Sequence, residues 1–309
     1  MTNQAAEEFS PAYLGLVNSG ALAERARAAL RHLENCALCP RGCHVNRLLS
    51  TRGAFCRTGE QARVYSQGPH HGEERPLSGQ RGSGTIFFSH CNLGCVFCQN
   101  WEISRRGEGR DVSARRLADI MLGLQDLGCH NINLVTPSHV VPQILAALDL
   151  AAKQGLRLPL VFNSGGYDSP EALELLDGII DIYMPDMKFA DSRTAAPYLG
   201  VKDYAEVNRA AVREMHRQVG DLVLSAGGLA RRGLLVRHLV LPGNLAGSET
   251  ILEFLAREIS RHTYLNLMDQ YRPCYRADEY PPLDRRPTRA EWRAALEQAR
   301  KLGLHRLDR

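Results

Sequence analysis

The sequence predicts an α/β fold, a partial (β/α)6 TIM-like barrel that follows a cysteine-rich, metal-bound N-terminal extension. After residue 84, six apolar, strand-like runs alternate with patterns of helical spacing. Continuous apolar strands that alternate with helices indicate a parallel sheet with helices on its outer face. Residues 1–83 differ, because a single helical pattern is followed by a stretch rich in cysteine, glycine and arginine. We therefore divide the chain into an extension at 1–83 and a barrel with a C-terminal helix at 84–309.

Each element is predicted from its own local pattern. The extension carries a helix at 21–33. The six predicted strands lie at 84–90, 131–136, 158–164, 179–188, 234–242 and 264–271. The helices between them are predicted at 117–127, 138–154, 169–176, 204–219 and 248–260. Gly128 is a suitable C-terminal cap for the helix predicted at 117–127. Thr288 and Glu291 form a capping box that predicts a last helix. A doubly wound open sheet is the alternative, since periodicity alone does not separate it from a barrel.

Composition and charge exclude several classes of protein. The net charge is +4 over 309 residues, and no run of basic residues interleaved with aromatics marks a nucleic-acid surface. No apolar run approaches the roughly 18–20 residues of a membrane-spanning helix, and the N-terminus shows no secretory pattern. We expect a cytoplasmic protein with no membrane or nucleic-acid partner.

Seven of the nine cysteines fall into two groups. An odd number of cysteines without an export pattern argues against a disulfide framework, and thiolates at short spacing are typical of metal ligands. Cys91, Cys95 and Cys98 directly follow the first predicted barrel strand. Three thiolates hold three irons of a [4Fe–4S] cluster and leave the fourth iron open to a small molecule. Zinc, with His90 as a fourth ligand, is the alternative.

The second group lies in the extension. Its four thiolates, within 21 residues, come from Cys36, Cys39, Cys43 and Cys56. They fit either a closed tetrahedral zinc site or a second, fully ligated iron–sulfur cluster, and both alternatives are kept. Residues 34–60 have few apolar side chains to bury, so a metal would stabilise this segment. Cys129 is predicted to be a buried packing residue, and a hydrogen-donating or thiyl role is one hypothesis for Cys274.

The cysteine motif and the barrel together resemble the radical S-adenosylmethionine (SAM) superfamily. From Cys36 onward the chain is most similar to the pyruvate formate-lyase activating enzyme branch, in its uncharacterised iron–sulfur subgroup. The similar segments are CALCPRGC, CNLGCVFCQNWEIS, DIYMPDMKFAD, RHLVLPGNLAGSE and LMDQYRP. The resemblance implies that SAM binds the open iron and is cleaved reductively to a 5′-deoxyadenosyl radical, which abstracts a substrate hydrogen. It also implies an electron donor of flavodoxin or ferredoxin type and a protein or peptide substrate.

The resemblance assigns SAM contacts residue by residue. Phe97 is placed to pack over a planar base, Asn100 matches an asparagine that contacts SAM, and Lys188 matches a lysine near the SAM carboxylate. The ligands of a monovalent cation beside that carboxylate match Asn163, Ser164, Met184 and Asp186. Asn163, Ser164 and Asp186 also count as SAM-binding residues. Asn163 and Ser164 stand where the family has aspartate and threonine.

Two departures from the family pattern affect these assignments. The second barrel strand ends in Thr136-Pro137-Ser138-His139 instead of Gly-Gly-Glu, and proline removes one amide donor. Either Thr136, Ser138 or His139 is therefore expected to take over the SAM amino group, or SAM is bound in a different position. A histidine that contacts SAM near the last strand corresponds to Gln270 or Tyr271, and Tyr271 is the residue that we assign.

Two other functions are kept as alternatives. A non-catalytic, zinc-stabilised interaction or nucleic-acid-binding protein would use both cysteine groups structurally and hold zinc only. A protein that only transfers electrons would hold two clusters without cleaving SAM. Asp186 and Lys188 at a strand end argue against this alternative.

Overall fold

In residues 9–308, which the computed structural model describes, nine strands join in one sheet. The strands are β1 (Ala62–His70), β2 (Ser83–Phe88), β3 (Arg110–Val112), β4 (Ile132–Val135), β5 (Leu160–Ser164), β6 (Ile182–Pro185), β7 (Val223–Leu224), β8 (Ala230–Leu239) and β9 (Tyr264–Met268). Six of them pair in parallel and in chain order, namely β2, β4, β5, β6, β8 and β9. These six correspond to the predicted strands, so the predicted α/β class with a parallel barrel sheet is confirmed.

The sheet does not close into a complete barrel. At one edge β1 pairs antiparallel with both β2 and β3, and at the other edge β9 pairs with β8. Within the described residues no ladder joins β9 to β1 or β3. The sheet is therefore a partial barrel, and residues 306–308 pair with the outer edge of β9, where the Leu265 amide donates to the Arg306 carbonyl at 2.9 Å. β1 lies within the segment predicted as the extension, so the sheet continues into that segment.

Helices cover the outer face of the sheet. Those described are α1 (Tyr13–Asn18), α2 (Ala21–Arg31), α3 (Arg75–Ser78), α4 (Ala114–Asp126), α5 (Val141–Lys153), α6 (Pro170–Leu176), α7 (Ser192–Leu199), α8 (Tyr204–Val219), α9 (Ser248–Phe254) and α10 (Arg289–Lys301). Thr288 and Glu291 form the predicted capping box of α10, and Gly128 follows α4 with a φ of +80°. No helix in residues 9–308 combines the length and the apolar character that a membrane span requires.

Alternation along the strands separates a packed outer face from a polar interior. Ile86, Leu134 and Phe162 are buried in the main apolar core beneath the helices, while Asn163 and Arg237 line a cavity inside the barrel. Successive side chains of a strand point to opposite faces of a sheet. The polar residues of these otherwise apolar strands are therefore collected on the inner face.

Candidate active site

The three predicted cluster cysteines lie on one loop at the C-terminal end of β2. Cys91, Cys95 and Cys98 all line the same cavity, which has a volume of about 260 Å³. His90 starts the loop in the left-handed region, with a φ of +69°. Non-glycine residues adopt this conformation mainly where a turn or a site requires it. The turn brings all three thiols to one space beside the strand end.

Hydrogen bonds hold this loop in place. The Gly94 amide donates to the Leu199 carbonyl at 2.8 Å, and a Cβ at Gly94 would lie only 3.3 Å from that oxygen and from the Phe55 ring. The Leu93 amide donates to Cys91 Sγ at 3.3 Å. Amide donors to a cysteine sulfur favour the thiolate form that iron binds.

A segment after β9 covers the same loop. The Arg276 amide donates to the Val96 carbonyl at 2.9 Å, and the Tyr275 ring stacks on Trp101 with 5.4 Å between the ring centroids. Cys274 is half-buried in this segment. It is not among the residues that line the cysteine cavity, and its hydrogen-donating role stays a hypothesis.

The environment of the thiols suits a bound cluster. Burial raises the pKa of Cys91 to about 11, although the Leu93 amide and Lys188 oppose this rise. Burial likewise raises the pKa of Cys95, again opposed by Lys188. Metal ligands must lose their protons, so these thiols are stabilised as thiolates by iron. Three sulfurs with an amide donor and a neighbouring cation fit the predicted [4Fe–4S] ligand set.

A buried ionic cluster forms another wall of the cavity. Lys188 Nζ lies 2.5 Å from Asp186 Oδ2, and Arg237 Nε donates to Asp186 Oδ1 at 2.8 Å. Arg237 Nη2 donates to Asn163 Oδ1 at 2.7 Å. Although burial opposes ionisation of Asp186, Arg237 and Lys188 hold its pKa below the ordinary value. Lys188, Asp186 and Asn163, all predicted from sequence, are therefore brought together.

Arg237 is a site residue that the sequence reasoning missed. It lies within β8, in the run LLVRHLVLP, and faces the cavity with Asn163 and Asp186. A charged residue inside an otherwise apolar strand was a usable signal, because a buried charge requires a partner.

The predicted cation ligands are only partly collected. Asn163 and Asp186 both bind Arg237. The Ser164 hydroxyl donates to Asp168 Oδ2 at 2.6 Å, and Met184 is fully buried in an apolar cluster. The structure thus places the fixed charge of Arg237 between the two residues best suited to hold a cation. The monovalent cation stays a prediction.

Three further residues assigned to SAM line the cavity, namely Phe97, Asn100 and Thr136. Phe97 packs against Phe189 and Tyr271, with ring centroids 6.2 and 6.1 Å apart. Thr136 directly follows β4 and adopts the left-handed region, with a φ of +61°. A strained residue at a strand end is common at functional sites.

Ser138 and Tyr271 are placed elsewhere. Ser138 is buried beside Asp168, and the Tyr271 hydroxyl donates to the Leu283 carbonyl at 2.7 Å. Neither is among the residues lining the cysteine cavity, whereas Gln270 is. Of the two residues matched to the family histidine, Gln270 is therefore the one that reaches the site.

The N-terminal cysteines come together at a separate small cavity. Its lining includes Cys36, Cys39, Cys43, Cys56, Arg47 and His139. Burial raises the pKa of Cys39 to about 12, and the other three thiols add to this rise because they lie close by. The described residues contain no group of His, Cys, Asp or Glu already spaced as the ligands of one ion. Zinc and an iron–sulfur cluster both stay open as predictions for this set.

Arg41 connects the two cysteine sites. Its Nε donates to the carbonyl of Asn92, the residue after Cys91, at 2.8 Å. Its Nη1 donates to the Gly200 carbonyl at 2.8 Å, and the guanidinium lies 3.5 Å from the centroid of Phe55. Asn92 also lines the N-terminal cavity. Cys91 and Leu93 line the cysteine cavity and Asn92 lines the N-terminal one, so the two sites are neighbours along the cysteine loop.

A larger cavity of about 1160 Å³ occupies the barrel interior. It shares with the cysteine cavity the residues Asn100, Val135, Asn163, Arg237, Met268 and Gln270. Its far wall includes Asn266 of β9 and Trp292 of α10. The two spaces are continuous, so a second molecule has room beside a ligand at the cysteines.

Comparison with known proteins agrees with this geometry. Residues 85–244 match the family described as the Radical SAM superfamily. An uncharacterized protein of Methanocaldococcus jannaschii is 34% identical over 280 residues, covering 88% of this chain and 76% of that protein. A solved radical SAM methyltransferase from Sphaerobacter thermophilus is 14% identical, with a TM-score of 0.45, over 71% of this chain and 64% of that chain. This chain thus spans less than two thirds of the methyltransferase chain. A domain of pyruvate-formate lyase-activating enzyme from Bacteroides vulgatus is 14% identical, with a TM-score of 0.36, over 62% of this chain and 88% of that chain.

The family match covers more than half of the chain and contains all the residues that line the cysteine cavity except Met268 and Gln270. Cys91, Cys95, Cys98, Lys188 and Arg237 all fall within residues 85–244. The resemblance stated from the motifs is confirmed for the superfamily, and with it the general chemistry of that class of enzyme. The chain belongs to the radical SAM superfamily.

Proposed function

We propose that this chain cleaves SAM reductively at a [4Fe–4S] cluster bound by Cys91, Cys95 and Cys98. The observation that carries the proposal is the shared cavity, in which these thiols form one wall and Lys188 and Arg237 another. When bound, the cluster supplies an electron to SAM, and the 5′-deoxyadenosyl radical so released takes a hydrogen atom from the substrate. The side chains hold, orient and shield these groups.

The buried charges beside the cysteines suit the carboxylate of SAM. Lys188 and Arg237 carry two positive charges, while Asp186 between them supplies one negative charge. The remaining positive charge attracts an anionic group more strongly here than in water, because the site is largely desolvated. We assign the SAM carboxylate to this wall, where Lys188 and Arg237 supply the positive charge.

Polar and apolar residues complete the binding site. Thr136, Asn100 and Gln270 line the cavity and offer hydrogen-bonding groups to the amino group and ribose in place of the Gly-Gly-Glu motif. Phe97 offers an aromatic face to the adenine. Leu239 lies in the same wall and helps to keep water from the reacting atoms.

We further propose an activating-enzyme-like role with a protein or peptide substrate. The motif segments of the branch support this assignment. Arg105 and Arg106 follow the cysteine loop, and the Arg106 side chain is 61% exposed. Exposed basic side chains attract an acidic redox partner, which suits an electron donor of flavodoxin or ferredoxin type.

For the N-terminal cysteines we propose a second metal, either zinc or an iron–sulfur cluster. Its support is that Cys36, Cys39, Cys43 and Cys56 line one cavity. Arg47 Nη1 also lies 3.5 Å from Cys36 Sγ, where a cation stabilises a thiolate. Because Asn92 of this site adjoins Cys91 of the cysteine cavity, a redox-active metal there would be a neighbour of the SAM cluster.

The proposal is tested by anaerobic reconstitution of the full-length protein with iron and sulfide. We expect a brown protein that releases 5′-deoxyadenosine from SAM in the presence of dithionite. The triple variant Cys91→Ala, Cys95→Ala, Cys98→Ala should lose this release completely, whereas the buried Cys129→Ala control should retain it. Release of 5′-deoxyadenosine by the triple variant would contradict the assignment. A colourless protein that holds zinc alone would favour the non-catalytic alternative.

A further inference from the structure

The barrel interior carries charges that the proposed SAM site does not use. Glu73 and Glu74 follow β1 and line the inner cavity of about 1160 Å³. Ligand cavities typically measure about 300–1,000 Å³, so this space accommodates a molecule beyond the one at the cysteines. Because the cavity is continuous with the cysteine cavity, a molecule here lies within reach of the reacting atoms.

Glu74 is the first sign that a ligand group belongs in this cavity. Its side chain is buried, with 5% of the residue exposed. Asn266 Nδ2 donates to Glu74 Oε1 at 2.9 Å, but among the described residues Oε2 has no hydrogen-bond donor. A buried carboxylate oxygen without a donor is costly, and native proteins rarely leave one. A donor brought by a ligand would satisfy it.

Glu73 lies on the side of the cavity nearer the SAM site. Its Oε2 is 3.9 Å from Arg237 Nη1, and its side chain is 9% exposed. Asn133 is fully buried beside it, and a hydrogen bond from Asn133 opposes the rise in the pKa of Glu73. Burial raises the pKa of Glu73 to about 7, and Glu74 adds to the rise although Arg237 opposes it. The glutamate pair therefore lacks positive charge.

The buried carboxyl groups of the interior outnumber its buried basic groups. Glu73, Glu74 and Asp186 are three carboxyl groups, whereas Lys188 and Arg237 are two basic groups. The other charged residues of the cavity have greater access to solvent, which screens them: His70, Asp269, Arg300, His305 and Asp308. The two glutamates thus lie on the side of Arg237 away from Lys188, and the one buried cation described beside them is shared with Asp186.

The cavity walls suit an aliphatic stem. Phe87, Leu267 and Trp292 contribute apolar surface to the lining, and Trp292 Nε1 donates to the Leu267 carbonyl at 3.1 Å, which fixes the indole. Basic side chains and alkyl amines place methylene groups on such surfaces while their charged ends find partners. The indole face also attracts a cation.

We propose that the inner cavity binds the substrate through an ammonium or guanidinium group, carried on an aliphatic stem and held between Glu73 and Glu74. This inference rests on the proposed function, because it concerns the substrate of the radical reaction. Arg237 fixes the relative positions of the two ligands, since it binds Asp186 on the SAM side and lies beside Glu73 on the other. A carbon of the stem is thereby held between the anchored cation and the SAM site.

Binding is measured without any turnover. The chain has two tryptophans, Trp101 and Trp292, so Trp101→Phe makes Trp292 the sole reporter in the full-length, reconstituted protein. The cationic probes are N-acetyl-arginine amide and N-acetyl-lysine amide, and the neutral probes of matched shape are N-acetyl-citrulline amide and N-acetyl-norleucine amide. We expect a saturable change in Trp292 fluorescence with a cationic probe. The matching neutral probe should bind about tenfold more weakly or worse.

Variants locate the binding groups. In the same background, Glu74→Gln and Glu73→Gln should each weaken cationic binding about tenfold. Glu297→Gln, on the exposed face of α10 that carries Trp292, should leave binding unchanged. Gln preserves shape, and removal of an unpartnered buried carboxylate is not expected to unfold the protein. Thermal unfolding of each variant checks this point.

Several results would overturn the proposal. They are equal binding of neutral and cationic probes, no response of Trp292 to any probe, or undiminished binding in Glu73→Gln and Glu74→Gln. Displacement of the probe by SAM would also overturn it, since the glutamates would then hold the SAM amino group. Because the assay needs no SAM cleavage, its failure is distinct from failure of the cysteine variants above. Comparison of agmatine with the peptide Gly-Gly-Arg-Gly-Gly shows whether the site prefers a small amine or a peptide substrate. Tight binding of either one supports the proposed site.

Discussion

Arg237→Met tests the ionic cluster on which both proposed binding sites depend. The guanidinium makes charge-assisted hydrogen bonds to Asp186 at 2.8 Å and to Asn163 at 2.7 Å, with a side-chain exposure of 19%. Breaking a buried pair by removing one partner typically costs about 3–5 kcal/mol. Glu73 can take up a proton when the cation is lost, which limits the cost, so we expect a loss of about 3 kcal/mol in the free energy of unfolding.

Urea denaturation of the full-length protein measures this loss, and equilibrium dialysis against SAM measures binding at the reconstituted cluster. SAM should bind about tenfold more weakly in Arg237→Met. Arg237→Lys keeps the charge but not the planar fork, so it should fall between wild type and Arg237→Met in both assays. Arg293→Met, at an exposed position of α10, should change stability by less than about 0.5 kcal/mol. If Arg237→Met unfolded with the wild-type free energy, the energetic reasoning would be refuted. Unchanged SAM affinity would refute the carboxylate assignment.

Three further outcomes are expected. Burial raises the pKa of Glu73 from an ordinary 4.5 to about 7. The folded state therefore holds this proton more tightly than the unfolded state, and stability should fall by roughly 3 kcal/mol between pH 4.5 and 7 and then level off. Glu73→Gln should flatten that part of the urea-derived profile. Gly166→Ala should destabilise the protein by more than about 2 kcal/mol and weaken SAM binding, because φ is +71° and a Cβ would overlap Asn208 and the Asp186 carbonyl. Cys39→Ser should lose the metal of the N-terminal site, measured by elemental analysis, while retaining iron at the Cys91 loop.

Each of these outcomes has a matched control. Glu297→Gln should keep the wild-type dependence of stability on pH. If Glu73→Gln showed the same fall in stability between pH 4.5 and 7 as wild type, a group other than Glu73 would be responsible for that fall. Gly155 also has a positive φ but open space around its Cα, so Gly155→Ala should cost only about 1 kcal/mol, and an equal loss at both glycines would contradict the overlap. Cys129→Ser should retain all metal. Full metal content in Cys39→Ser would contradict the N-terminal site.

The barrel strands were predictable because each buries both faces and reads as a continuous apolar run. β1 was not, because ARVYSQGPH contains Gly68 and Pro69 and exposes much of its length, as an edge strand does. α7 was not predicted either, because it is short and contains Pro197, and a proline inside a sequence segment argues against a helix.

Some site residues could be predicted from contiguous sequence motifs, whereas others reach the site only through pairing between distant segments. The cysteines and Lys188 were found because each motif is contiguous in sequence. Glu73 and Glu74 were not, since only the antiparallel return of β1 brings their loop to the barrel interior. Near Gln270 and Tyr271 a shift of one residue decides which side chain faces the cavity, and periodicity does not fix such a register.

The segment that stacks Tyr275 on Trp101 also sets an order of assembly. Every parallel strand pairs with the one made before it, so the sheet can grow in step with synthesis, whereas the cover over the cysteine loop lies beyond β9, close to the end of the chain. A nascent barrel therefore presents its cysteine loop uncovered until that segment has been made. Iron can reach the thiols of such a barrel before Tyr275 stacks on Trp101 and Arg276 donates to Val96.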